Sequence, residues 1–342
     1  MHFLVSGNTG FKGAWLSLLL QRSGHTVSGL ALDPLPGSMF SLSGVDAFLK
    51  NDFRTDINDA QAVAVAIKES APDFVFHLAA QPLVRLSYAE PRKTYETNAI
   101  GTLSVLEAMA APPSVKGGIV VTTDKVYKNV GQAHGYVEGD ALGGHDPYSA
   151  SKAMADILTT SWISSFGGPR TAIARAGNVI GGGDVSADRL FPDLMRSFSS
   201  GTPAQLRNPL AVRPWQHVLD CLHGYVMLAE SIMATLDQGA DAGAWNFGPD
   251  SEAFRTVGEA ADLAAAVWGP GASWEVDSGS HPHEAHMLTL DATKAKTELG
   301  WHDRLSFEDA VRWTVDWHKK VEAGESALEV TLAQIEAFEA LA

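Results

Sequence analysis

Tyr148 and Lys152 stand four residues apart behind Asp146-Pro147, which places a phenol and an ammonium on one helical face. Asp146 can cap that helix, and Pro147 suits its first position. A neighbouring cation favours phenolate, so the spacing predicts a tyrosine whose pKa, ordinarily about 10, is drawn toward neutrality. Such a group can take the proton of a sugar hydroxyl as hydride leaves the same carbon. An isolated Tyr-x-x-x-Lys is also common in plain amphipathic helices. The run GIVVTTDKVY separates the two readings, because it delivers Thr123, Asp124 and Lys125 to the carboxyl end of an apolar strand. A buried strand ending in Asp-Lys has little structural purpose beyond a salt bridge. Hydroxyl, acid and amine beside a Tyr/Lys pair make a site.

A hydride needs an acceptor, and Gly7, Gly10 and Gly13 mark where one would bind. Glycines between a first strand and a first helix let backbone N–H groups approach a pyrophosphate at the helix N-terminus. Asp33 follows Gly13 by 20 residues and can bind a ribose 2′-hydroxyl, which favours NAD over NADP; as Asp-Pro it also reads as a turn residue. Arg207, Arg213 and His217 fall within eleven residues of a Pro-containing stretch, and arginines clamp phosphates through paired hydrogen bonds. Trp215 between them reads as packing. His281, His283, Glu284 and His286 match no zinc spacing, and Cys221 is the single cysteine, so no metal and no internal disulfide are expected.

The elements that must position these groups alternate. Strand-like runs at 2–6, 26–32, 74–79, 118–123 and 170–177 are separated by helical stretches at 11–24, 60–70, 95–109 and 148–166. That order predicts right-handed βαβ crossovers and an α/β fold, a Rossmann-type doubly wound parallel sheet. After Gly177 the rhythm breaks. GGGD and RNPLAVRPW read as loops, followed by helices over 217–236, 256–269 and 307–324. Residues 1–177 with about 217–248 are expected to form the NAD-binding domain; 178–216 and about 249–342 form a smaller, discontinuous substrate lobe over the strand ends.

With 25 Lys+Arg against 40 Asp+Glu the formal net charge is -15, which repels nucleic acid and anionic membranes. An anionic ligand would need its own cluster of cations. The N-terminus lacks a signal-peptide pattern, and no apolar run approaches the roughly 20 residues of a membrane span. A cytoplasmic enzyme is expected.

The runs GNTGFKGAWL, FVFHLAAQPLVRLSY, TTDKVY, DPYSASK, RAGNVIGGGD, RNPLAVRPWQHV, AWNFGP and HPHEAH together resemble the bacterial CDP-glucose 4,6-dehydratases, of the extended short-chain dehydrogenase/reductase superfamily. The likeness covers nearly the whole chain. It implies that the three glycines with Phe11 and Lys12 cradle the NAD pyrophosphate, that Asp56 and Ile57 hold the adenine, and that Leu78, Ala79 and Ala80 line the cofactor with Asn98 behind them. Thr123, Tyr148 and Lys152 would serve hydride transfer, and Asp124 and Lys125 water elimination, with a protonated Asp124 as the acid. Gln81, Asn178, Arg189, Arg207, Arg213 and His217 would face the nucleotide-sugar. The implied reaction oxidises C4 of CDP-glucose, eliminates water across C5 and C6, and returns hydride to C6. The resemblance further implies a homodimer through helices near 95–110 and 148–165. Three departures bear on nucleotide and sugar preference: Asn8 replaces a usual histidine, Val185-Ser186 a tryptophan, and Lys128 an acidic residue. Other readings of the same residues are a nucleotide-sugar 4-epimerase, a dehydratase of another NDP-hexose, and an NAD-binding regulatory protein.

Overall fold

The computed structural model describes residues 1–132, 134–279 and 288–341. The chain lays down β1 (His2–Ser6), α1 (Phe11–Arg22), β2 (Thr26–Ala31), α2 (Met39–Ser43), β3 (Asp52–Arg54), α3 (Ala60–Ser70) and β4 (Phe74–His77). α4 (Val84–Ala89), α5 (Pro91–Tyr95) and α6 (Gly101–Ala110) follow, then β5 (Gly117–Val121), α7 (Pro147–Phe166) and β6 (Arg170–Ala176). Beyond these come β7 (Asn178–Ile180), α8 (Leu190–Ser200), β8 (Ala204–Leu206), β9 (Val212–His217), α9 (Val218–Ala234) and β10 (Asp241–Phe247). The last elements are β11 (Phe254–Thr256), α10 (Val257–Trp268), β12 (Trp274–Val276), α11 (Phe307–Glu322) and α12 (Ala327–Glu339).

Seven parallel strands form one sheet in the order β10-β6-β5-β4-β1-β2-β3. Side-chain alternation explains why both faces are covered. Phe3 and Val5 of β1, Phe74 and Phe76 of β4, and Ile119 of β5 pack with α1, α9 and α12 on one face. Leu4, Leu30 and Val75 point the other way, against Val63, Ile67, Val105 and Met109 of α3 and α6. Strand order runs outward from β1 in both directions, so the crevice of a doubly wound sheet opens at the carboxyl ends of β1 and β4.

A second core holds Phe191, Leu194 and Phe198 of α8, Trp215 of β9, three alanines of α10 and Phe307, Val311 and Val315 of α11. It covers two small sheets, β11-β9-β7 and β12-β8. Two features differ from expectation. The stretch read as a loop around Arg213 is strand β9, paired parallel to β7 and antiparallel to β11. Ala327, Val330, Ile335 and Phe338 of α12, expected in the lobe, bury instead in the sheet-side core.

Asp220, in the first turn of α9, ties this helix to the following lobe segment: its Oδ1 accepts the Arg304 N–H at 2.7 Å. Burial pushes its carboxyl up to about 8. An unfolded aspartate ionises near 4, so from about pH 4 to about 8 the unfolded chain binds fewer protons than the folded one. Stability therefore falls as pH rises through that window. Asp220→Asn keeps the acceptor without the charge. Its melting temperature is expected to depend less steeply on pH than the wild type's between about pH 5 and pH 8; parallel melting curves would contradict this.

Candidate active site

A cavity of about 1060 Å³ runs from the glycine turn after β1, past the ends of β4 and β5, to the β7–β9 lobe. The glycine turn is required by close approach. Gly7 has φ 78, and a Cβ there would meet the Ala79 amide nitrogen at 2.8 Å; a Cβ on Gly13 would meet the Gly7 carbonyl oxygen at 2.1 Å. Gly10 caps α1 and offers no side-chain acceptor, so the first amides of the helix are left for another anion. Phe11, Lys12, Asp33, Asp56, Ile57, Leu78, Ala79 and Ala80 line the same wall. An uncapped helix start, a backbone cradle and a carboxylate beyond β2 fit an adenine dinucleotide.

At the end of β5 the chain turns tightly. Thr123 caps the turn with its hydroxyl accepting the Lys125 N–H at 3.4 Å, and Thr123 Oγ1 donates to Asp124 Oδ1 at 2.8 Å. Lys125 Nζ reaches the same carboxylate oxygen at 3.1 Å. The Asp124 side chain is 2% exposed and that of Lys125 32%, so the pair is set into the wall with the amine nearer solvent. Asp124 Oδ1 thus takes two donors, the Thr123 hydroxyl and the Lys125 amine.

Tyr148, at the start of α7, lines the cavity beside this turn, with Lys152 behind it. The phenol departs from expectation. Burial raises its pKa, opposed by the charges of Lys125 and Arg189 and by the Thr123 hydroxyl. Lys152 instead donates to the Val121 carbonyl at 2.8 Å, which anchors α7 to the end of β5. Burial and the charge of Lys12 lower the Lys152 pKa to about 8. The cations that bear on the phenol are therefore Lys125 and Arg189.

A buried network fixes helix and turn to each other. Asp156, one turn beyond Lys152, receives Arg175 Nε and Nη2 at 2.8 Å each and Thr122 Oγ1 at 3.2 Å. Arg175 Nη1 donates to the Tyr127 hydroxyl at 2.7 Å, which itself donates to Asn246 Oδ1 at 2.7 Å. The sequence reading missed these residues, although Tyr148, Lys152 and Asp156 recur at one-turn spacing on one helical face.

On the lobe side Asn178, Arg189, Arg207 and Arg213 line the cavity, Arg189 paired with Asp184 at 3.0 Å. Gln81 and His217, expected to face the nucleotide-sugar, do not. Gln81 folds back on its own loop, donating to the Leu83 carbonyl and Thr94 and accepting the Leu83 N–H. Asn98 grips the Gln81 backbone from behind with both amide atoms, supporting the cavity wall without lining it. His217 ends β9 and caps α9 through the Leu219 N–H, its ring edge-on to Trp15 and Trp313. Burial lowers its pKa to about 3, so it packs as a neutral ring. Among the described residues no three His, Cys, Asp or Glu side chains are placed to hold a metal. His281, His283, Glu284 and His286 lie outside the described residues.

Residues 4–314 match the model of the GDP-mannose 4,6 dehydratase family. The CDP-glucose 4,6-dehydratase of Salmonella typhimurium is 43% identical over 95% of this chain and 92% of its own length. The solved UDP-glucose 4-epimerase of Thermotoga maritima superposes with a TM-score of 0.81 over 94% of this chain and 100% of its own, at 23% identity. The dTDP-glucose 4,6-dehydratase of Bacillus anthracis, solved with NAD, gives 0.78 over 94% and 98%, again at 23% identity. Glycine cradle, Tyr/Lys helix and Asp-Lys strand end occur here on a sheet and lobe shared with those structures, and the chain belongs to the GDP-mannose 4,6 dehydratase family.

Proposed function

We propose that this chain is an NAD-dependent hydro-lyase that converts CDP-glucose to CDP-4-keto-6-deoxyglucose. The observation that carries the reading is the setting of Tyr148 and the Asp124–Lys125 pair in one cavity wall, opposite arginines from the lobe. The relative of 43% identity supports CDP-glucose as the substrate. Gly7, Gly10, Gly13, Phe11 and Lys12 would hold the dinucleotide phosphates and Asp33 a ribose. The chemistry a bound NAD would supply is an acceptor for the hydride of the sugar's C4 and its return at C6.

The chain's own groups handle protons. Tyr148 takes the proton from the C4 hydroxyl, with Thr123 orienting that oxygen and Lys125 stabilising the phenolate. The resulting ketone acidifies the C5 proton, which Lys125 takes as a neutral amine once its own proton has passed to Asp124. Asp124 and Lys125, 3.1 Å apart, share a proton, which Asp124 delivers to the departing C6 hydroxyl. Lys125 also offsets the enolate charge. Lys125→Met is expected to slow C5 exchange with deuterated solvent by about 10- to 100-fold, followed by NMR of the sugar; undiminished exchange would remove Lys125 from this step.

A 4-epimerase shares the Tyr/Lys pair but needs no acid for a C6 hydroxyl, so Asp124-Lys125 favours the dehydratase. Among the described residues no helix is long and apolar enough to cross a membrane. A cytoplasmic homodimer belongs to the same proposal. Ile100, Met154 and Ile157, exposed along the helices expected at the interface, support it. Initial rates of water loss from CDP-, dTDP-, GDP- and UDP-glucose test the substrate. CDP-glucose is expected to be preferred, and a preference for any other nucleotide would overturn that assignment.

A further inference from the structure

Arg85, in the first turn of α4, faces the cavity from the sheet side, and Arg207, after β8, faces it from the lobe. One residue joins them. Asp188 Oδ1 accepts from Arg85 Nη1 at 2.9 Å and from Arg207 Nη1 at 3.4 Å, while the Asp188 carbonyl accepts from Arg207 Nη2 at 3.0 Å. Asp188 does this at φ 59; among the described residues only Ala71 is another non-glycine with positive φ. A residue with a Cβ adopts this conformation at a cost, which aspartate and asparagine bear best. Backbone strain retained at a cavity wall calls for a functional reason.

The carboxylate is a weak holder of the two cations. The Arg85 and Asp188 side chains are 41% and 38% exposed, and an ion pair so open to water contributes little. A diphosphate brings two negative charges and enough oxygens to engage both guanidinium forks at once, which one carboxylate oxygen cannot do. Within a chain of net charge -15, two guanidiniums turned into one cavity across its width mark a place for a multivalent anion.

We propose that Arg85 is a further binding residue for the substrate's diphosphate and that Asp188 stands in for that group. Its carboxylate keeps Arg85 and Arg207 spanning the cavity until the diphosphate displaces it. This inference rests on the reading of the cavity as a nucleotide-sugar site. Asp188 then sets affinity: it lowers the apparent strength of diphosphate binding while keeping both arginines in place.

Calorimetric titration of the NAD-loaded protein with CDP tests this on wild type, Arg85→Gln and Asp188→Asn. Asparagine keeps the size and tolerates the φ while removing the competing charge. Arg85→Gln is expected to weaken CDP binding by about tenfold or more. It should raise the KM for CDP-glucose in step and leave kcat within about threefold. Asp188→Asn is expected to tighten CDP binding by about threefold. NAD affinity and melting temperature should stay unchanged in both, which separates loss of a ligand contact from loss of fold. CDP affinity unaltered by Arg85→Gln, or unaltered or weakened by Asp188→Asn, would overturn the proposal. A wild-type protein that binds no CDP would instead overturn the nucleotide-sugar reading on which it rests.

Discussion

Tyr148→Phe is expected to lower kcat for water loss from CDP-glucose by about three orders of magnitude, measured as product formed by mass spectrometry. The ring remains to fill its place on α7, so binding of nucleotide-sugar and fold stability should change little. Only the hydroxyl that takes the C4 proton is lost. Because burial raises the phenol's pKa in the ligand-free protein, the wild-type rate should climb with pH while the tyrosine supplies its base form. Lys125, with Arg189, rather than Lys152 opposes this shift. Lys125→Met should therefore displace the rising limb of the profile to higher pH, and the same limb should be missing from Tyr148→Phe.

The second large effect separates two steps. Asp124→Asn keeps an acceptor for Thr123 and the shape of the turn but has no proton to give the C6 hydroxyl. Water loss is expected to fall by about 10²- to 10⁴-fold. Oxidation at C4 does not need this acid, so CDP-glucose recovered from deuterated water should still carry deuterium at C5. Tyr148→Phe should show neither exchange nor elimination. Equal loss of both signals in the two variants would mean that Asp124 supports the turn rather than the elimination. The buried Arg175–Asp156 pair behind it makes such a supporting role unnecessary, because the turn is already tied to α7 through Tyr127.

Five strands of the sheet, β1, β2, β4, β5 and β6, were legible because they carry apolar residues on both faces and their crossovers end in glycine or a cap; β3 and β10 at its edges were not read. The run FVFH could be little else than a buried strand, and Gly7, Gly10 and Gly13 read as a turn because nothing larger fits there. The lobe was harder. β8, β11 and β12 are three residues each, too short for a periodic signal, and Pro214 disguised β9. α12 reads plainly as a helix only once its apolar face has α1, α2 and α11 to lie against.

Residue types located the chemistry better than they fixed its direction. Tyr148, Lys152, Thr123, Asp124 and Lys125 do meet at one wall, but Lys152 turns to a carbonyl and Lys125 toward the acid. His217 shares its face of β9 with Arg213 and Trp215, yet the strand ends there. The ring turns inward to cap α9 where a substrate ligand had been expected. Arg85 was visible within AAQPLVR without any sign of its partner, because Asp188 lies 103 residues away and meets it only in the folded chain.

The reaction itself can be read from one product. CDP-glucose incubated with the NAD-loaded protein in deuterated water should give a nucleotide-sugar lighter than substrate by one water and carrying solvent deuterium at C5. A product of unchanged mass with C4 inverted would show that Tyr148 oxidises the sugar without Asp124 ever expelling its C6 hydroxyl, and the chain would be an epimerase.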